Sequence, residues 1–185
     1  MSNIEIRTAT ESDAERLLEI YAYYVENTAI TFEYEVPSPD EFRDRIRNTL
    51  EKYPYICILR DGNILGYAYA GILKDREAYK WSAETAVYVD RNEVKTGLGK
   101  ILYAELERRL KDSGFKNMYA CIAYPSEEDE YLTKNSALFH EHMGFVKVGE
   151  FHSCGYKFGR WYDMIYMEKM IGNHDSEPAS PVKLR

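Results

Sequence analysis

The chain holds 185 residues, 45% hydrophobic and 30% charged, with a net charge of −7 at pH 7. That balance suits one soluble globular domain with a real core. It argues against general nucleic-acid or anionic-membrane binding, so an anionic ligand needs a local basic patch. No apolar run approaches the roughly 20 residues of a membrane span. Met1 to Glu5 lack a signal-peptide pattern, and Cys57, Cys121 and Cys154 make no even framework, so a cytoplasmic protein is the expectation. Seventeen tyrosines hint at polar-rimmed pockets or an interface between chains.

Ile4 to Arg7 alternates and predicts an edge or near-edge strand. Thr10 to Asp13 offers a helix start, and Ala14, Leu17, Leu18, Tyr21 and Val25 supply one apolar face ending near Asn27. A second helix begins at Ser38, with Pro39 at its first position and Glu41 completing a capping box; Phe42, Ile46 and Leu50 form its stripe. The loop between these helices carries Phe32 and Tyr34. Tyr55 to Arg60 and Ile64 to Ala70 read as strands joined at Asp61-Gly62-Asn63. A polar connection with Lys74, Arg76 and Tyr79 follows.

Glu84 to Val89 predicts a strand, and Leu98, Ile101, Leu102, Leu106 and Leu110 predict one face of a helix that Gly114 ends. Asn117 to Tyr124 reads as a central strand. An acidic loop at 125–130 leads to a short helix over Asn135 to Met143, stopped by Gly144. Phe145 to Cys154 and Tyr162 to Met170 complete a hairpin around Gly155 and Gly159-Arg160. From Gly172 to Arg185 the tail is polar and expected to be flexible. The order β-α-α-β-β-β-α-β-α-β-β predicts a three-layer mixed α/β domain over residues 1–171.

Between the Glu84 strand and its helix lies Lys95-Thr96-Gly97-Leu98-Gly99-Lys100. A helix start presents free N–H groups and partial positive charge, and glycines let an anion approach the backbone. The turn is a candidate diphosphate cradle; the plainer reading is an ordinary strand-to-helix loop. His140 and His142, two apart on a helix, point about 200° away from each other and cannot chelate one ion. No metal-ligand spacing occurs elsewhere, and no metal is expected.

With these elements placed, the chain resembles the GNAT N-acetyltransferase superfamily, whose signature turn matches Val94-Lys95-Thr96-Gly97-Leu98-Gly99 except that Val94 replaces the usual Arg or Gln. The blocks YPYICILRDGNILGYAYAG, AYKWSAETAVYV, KTGLGKILY, NSALFHEHMGF and GYKFGRWYDM resemble its phosphinothricin N-acetyltransferase-like branch, from about Ile4 to Ile171. The resemblance implies a mostly antiparallel, splayed mixed sheet flanked by helices. It also implies acetyl-CoA as co-substrate, held by Val87, Tyr88 and Val89, by the 95–100 turn, and by Asn135 and Ser136. The family's asparagine stands two positions earlier, where this chain has Thr133.

The resemblance also implies catalytic roles for Glu84 and His140, with the order of their proton transfers left open. An amine that is an ammonium at neutral pH must lose a proton before it attacks, and a carboxylate or an imidazole can accept it. Phe32, Lys74, Arg76 and Tyr79 are implied to hold the acceptor, a small amino acid with a second acidic or tetrahedral group such as phosphinothricin or methionine sulfoximine. A polyamine, a peptide N-terminus, or a catalytically silent acyl-CoA-binding module are the alternatives. A homodimer is among the expectations.

Overall fold

A computed structural model describes residues 3–182; residues 183–185 of the expected tail lie outside it. The observed order is β1 (Ile4–Thr8), α1 (Ala14–Asn27), α2 (Pro39–Leu50), β2 (Tyr55–Arg60), β3 (Asn63–Ile72), β4 (Ser82–Val89), α3 (Leu98–Asp112), β5 (Asn117–Tyr124), α4 (Asn135–His142), β6 (Val146–Lys157) and β7 (Arg160–Met170). One seven-stranded sheet runs β1-β2-β3-β4-β5-β7-β6, with β1 at one edge. Every neighbouring pair is antiparallel except β4–β5.

Alternation along the strands builds two cores, one on each sheet face. Leu17, Ile20 and Tyr21 of α1, with Phe42 and Ile46 of α2, bury against Tyr55, Cys57 and Tyr67. On the other face Leu98, Leu102, Leu106 and Leu110 of α3, with Ala137 of α4, bury against Ile56, Ala68, Ala83, Met118 and Ile122. The three-layer expectation holds.

Local chemistry fixes the ends. The Ser38 hydroxyl accepts the Glu41 N–H (3.1 Å), while the Glu41 carboxylate turns outward to Arg45 (2.6 Å). Asp61 and Gly62 both have positive φ (51° and 83°), the backbone of a tight two-residue hairpin turn. At the C-terminal end of α3, Gly114 (φ 91°) donates to Lys111 O and Phe115 to Leu110 O.

Glu41 does not complete the expected capping box, because Arg45 takes its carboxylate, and two further expectations change. Ile101 is exposed, and Tyr103 takes its place in the core: the buried row on α3 follows the i, i+4 spacing, and the 103 side chain packs against Phe139 and Phe145. The last hairpin turns at Phe158-Gly159, both at positive φ (51° and 76°), so β6 runs past Gly155 to Lys157 and β7 starts at Arg160. Gly155 serves a different need. A Cβ there would overlap the ring of Phe32, which lies directly beneath it. The end segment lies along the domain, where the Trp81 indole donates to Ala179 O (2.8 Å) and the Val182 N–H to Ser113 O (2.8 Å).

Candidate active site

The sheet opens at the only parallel pair among the described residues. β4 and β5 are in register at Ser82–Asn117, Ala83–Met118 and Glu84–Tyr119, and then separate. The gap is a narrow cleft lined by Thr85 to Tyr88, Ala120 to Ala123, Ser136, His140 and Ile30. Strand parity decides which backbone groups face it. Asp90 N–H bonds Leu65 O in the β3–β4 ladder, so even-numbered residues of β4 pair with β3 and odd-numbered ones aim at the cleft. Val87 therefore presents both backbone groups to the gap. Tyr88 pairs towards Tyr67, and the Val89 carbonyl accepts the Tyr24 hydroxyl (2.5 Å).

Beyond Val89 the chain reaches α3 through a short turn staked by two acids: Asp90 takes Arg16 (2.6 Å) and Glu93 takes Arg60 (2.8 Å). Thr96 Oγ1 donates to Glu93 O (2.6 Å). Gly97 caps α3 at φ 88°, with nothing within 4 Å of where a Cβ would stand. Ile101 is the first helix residue to find an acceptor there, Gly97 O, leaving the N–H groups of Leu98, Gly99 and Lys100 free. No acidic side chain occupies this first turn, and Lys95 and Lys100 flank it. A diphosphate fits this turn on charge, donors and space.

On the α3/α4 wall, His140 is only 5% exposed. Its Nδ1 contacts Ser136 O at 2.7 Å and its Nε2 contacts the Tyr103 hydroxyl at 3.0 Å. A carbonyl only accepts, so Nδ1 carries the hydrogen. Burial pulls the imidazole down to about 4, partly offset by the Ser136 bond. The ring is neutral near pH 7. His142 is exposed and bonds Leu138 O instead (2.6 Å), on a different side of the helix.

Glu84 lies on the opposite sheet face. Thr85, its neighbour, points to Tyr103 of α3, so Glu84 points away, towards the side of Tyr69 and Tyr88. It is half-buried, and burial raises its carboxyl above the usual range, with Lys74 pulling the other way. Lys74 also sits 6.0 Å from the centre of the Tyr166 ring. The sequence-predicted pair is thus split by the strand, one member on each face.

Arg76 and Tyr79 line a groove with Lys74, Tyr53, Phe115 and the end segment Ser180 to Val182, outside the β4–β5 cleft. Of the three, Lys74 alone is also charge-coupled to Glu84. Phe32 packs with Ala29, Ala123, Leu132 and Tyr162 under the β6–β7 hairpin. Asn135 is exposed at the start of α4, where Thr133 Oγ1 accepts its N–H (3.4 Å); Ser136 reaches the cleft. Sequence reasoning missed Thr85, Tyr103 and the buried Lys157, whose Nζ donates to Val25 O, Thr28 O and Thr31 O (2.7, 2.9 and 2.8 Å). The available signal was strand parity beside Glu84, which sends Thr85 inward.

A family model described as an acetyltransferase (GNAT) domain matches residues 6–166. A phosphinothricin N-acetyltransferase of Streptomyces viridochromogenes is 33% identical over 98% of this chain and 93% of its own length. An L-methionine sulfoximine/L-methionine sulfone acetyltransferase of Salmonella typhimurium is 27% identical over 94% of this chain and 98% of its own. In structure, the chain is similar to a GNAT superfamily phosphinothricin acetyltransferase from Sinorhizobium meliloti solved in complex with AcCoA. The TM-score is 0.87, the identity 31%, and the match covers 95% of this chain and 93% of that one.

Proposed function

The chain belongs to the GNAT acetyltransferase family, and on that premise we propose that it moves the acetyl group of acetyl-CoA onto the amine of a small amino-acid-like acceptor. Phosphinothricin and methionine sulfoximine define the acceptor type, because relatives across the whole chain length carry those names. One observation carries the reading. The gap between β4 and β5 has free helix N–H groups at one end and a half-buried carboxylate on one face.

Acetyl-CoA supplies an activated acyl group. The Lys95–Lys100 turn and the α3 N–H groups hold its diphosphate, and Val87 directs an N–H at the reacting carbonyl, where negative charge develops. Ser136 borders the same channel from α4, and Asn135, exposed at the start of that helix, would meet the cofactor further out. On the acceptor face Glu84 takes the first proton from the ammonium, since a carboxylate raised by burial is a better base than an ordinary one. Lys74 stands beside it to receive the acceptor's acidic group, with Arg76 and Tyr79 further out and Phe32 walling the far side. His140, neutral and enclosed, serves the sulfur side. No cysteine is needed as a nucleophile, so transfer is direct within a ternary complex.

The same reading places the protein in the cytoplasm, with residues 1–171 as the catalytic unit and 172–185 as an appendage. Among the described residues, no helix is long and apolar enough to cross a membrane. The free thiols of Cys57, Cys121 and Cys154 suit a reducing compartment. The edge strand β6 leaves Val146, Val148 and Phe151 about half exposed, which favours a homodimer formed over that edge. A thiol-release screen of amines tests the central claim. Acidic and phosphinic amino acids should outrun polyamines and peptides; a polyamine as best substrate, or no thiol released with any amine, would overturn it.

A further inference from the structure

His140 lines the cleft with both ring nitrogens already engaged, and the hydroxyls of Tyr103 and Thr85 run in series from its Nε2 to a second point on the cleft wall. Four contacts make one unbranched chain. They are His140 Nδ1 to Ser136 O (2.7 Å), His140 Nε2 to Tyr103 Oη (3.0 Å), Tyr103 Oη to Thr85 Oγ1 (2.5 Å), and Thr85 Oγ1 to Tyr119 O (3.0 Å). Tyr103 is fully buried and packed edge-on against Phe139 and His140, so its hydroxyl has no other place to go.

Hydrogens can be counted along the chain. Both ends are carbonyls and only accept, while a neutral imidazole, a phenol and an alcohol bring one hydrogen each. Three hydrogens serve four contacts, so one contact is bare. Lone pairs do not face each other at 2.7 Å or 2.5 Å, which leaves the two contacts at 3.0 Å. A bare Nε2 would be an orphaned buried acceptor, so the bare contact is the one to Tyr119 O. The neutral chain therefore runs Thr85 to Tyr103 to His140 to Ser136 O. With one added proton every contact is filled. Nε2 then donates to Tyr103, Tyr103 to Thr85, and Thr85 to Tyr119 O.

We propose that Thr85, Tyr103 and His140 are a proton relay for the acetyl transfer, with Tyr103 as the positioning residue that couples the imidazole to Thr85. This rests on the transferase reading. A donor in the cleft gives its proton to Thr85 Oγ1, the Thr85 proton moves to Tyr103 Oη, and the Tyr103 proton moves to His140 Nε2. Three bonds to hydrogen break and three form, and the positive charge ends on the imidazolium. Run backwards, the same transfers return a proton to a base in the cleft. Both partners belong to the reaction. The amine nitrogen, its first proton already on Glu84, sheds a second once it is bonded to carbon, and the departing sulfur takes one up. Burial of His140 keeps the stored proton short-lived.

Three variants test this: Tyr103→Phe and Thr85→Val, which keep shape and remove one hydroxyl each, and Thr85→Ser, which keeps the hydroxyl. The first two should each lower kcat ten- to hundredfold with KM for acetyl-CoA within about threefold of wild type. The double variant should lose no more than the worse single one, because the groups act in series. Thr85→Ser should retain most activity. In wild type a proton inventory of kcat in mixed H₂O and D₂O should be curved; in either hydroxyl-less variant it should become linear. A second arm needs no acceptor. Thr85 does not touch His140, yet Thr85→Val should move the His140 Nε2 nitrogen resonance, because Tyr103 then loses its donor. An unmoved resonance, or wild-type kcat in both single variants, would overturn the relay. A wild type that releases no thiol with any amine would instead defeat the transferase reading.

Discussion

The two faces of the sheet beside the cleft are built on opposite plans. On the α3/α4 face, His140, Tyr103 and Thr85 are all buried, and both nitrogens of the imidazole are engaged within the fold. On the other face Glu84 is half-exposed, and Lys74 lies in open surroundings on an exposed connection. On the proposed mechanism, the difference teaches how one strand would divide the proton work. A group that exchanges protons with an incoming ammonium has to meet solvent and substrate. A group that passes a proton along a fixed line needs exact neighbours and no water. Under that proposal, adjacent positions on β4 supply both, because successive side chains leave a strand on opposite faces.

The comparison breaks first at Glu84. Glu84→Gln keeps shape but removes the base, and kcat should fall roughly 10²- to 10⁴-fold with acetyl-CoA affinity unchanged. In wild type the rate should rise with pH through the elevated pKa of this carboxyl and then level off. In the variant that limb should move towards the pKa of the free amine. Near-normal rates with the wild-type limb would mean that the open face carries no base.

Lys157 probes how the open face is held in place. Its ammonium, 2% exposed, ties three carbonyls at the C-terminal end of α1 and in the loop that leads to Phe32. Lys157→Met fills the space and leaves those carbonyls without their donor, at a cost of about 3 kcal/mol, or a Tm roughly 6–12 °C lower. If the loop serves the acceptor, KM for the amine should rise in the folded variant while KM for acetyl-CoA holds. A denaturation curve matching wild type would remove Lys157 from this role.

The closed face can be tested without catalysis. His140 has a folded pKa of about 4 against about 6.5 unfolded, so between those values the unfolded chain binds more protons and stability must fall as pH falls. The loss between pH 7 and pH 5 is about 2 kcal/mol for this group alone. His140→Gln should therefore lose less stability than wild type over that interval in urea titrations. Equal slopes would place the imidazole in water.

Most of the fold was legible because its signals are local. Ser38-Pro39, Asp61-Gly62 and Gly114 each announce an element boundary through capping or positive φ, and the alternating strands supply the rest. Tyr103 was less legible than Ile101, because helical spacing gives a face but not where its edge falls against α4. Gly155 looked like a turn, although its small size is required by the Phe32 ring from a loop more than a hundred residues away. In the site, Glu84 and His140 could be named from matching blocks, but their separation by the sheet could not, since it depends on β4 parity in three dimensions. Lys74, Arg76 and Tyr79 looked equivalent in sequence, yet Lys74 alone is charge-coupled to Glu84, a difference set by how the connection lies over the sheet in three dimensions.

That divergence gives the smallest and sharpest test. Lys74 lowers the Glu84 pKa through charge alone, against the larger upward push of burial. Lys74→Met keeps the length of the side chain and removes the charge, so the Glu84 pKa should move further up. The rising limb of the pH–rate profile must then shift to higher pH, since the carboxylate form becomes scarcer at any given pH. Arg76→Met removes a cation from the same connection, but Arg76 does not perturb Glu84, so its limb should stay where wild type has it. Both variants should raise KM for an acidic acceptor if both side chains grip it, whereas only Lys74→Met should move the limb. Equal shifts in the two variants would show a diffuse field over the whole face. No shift in either would place the Lys74 ammonium too far into solvent to sense the carboxylate, and would leave burial as the only influence on the base.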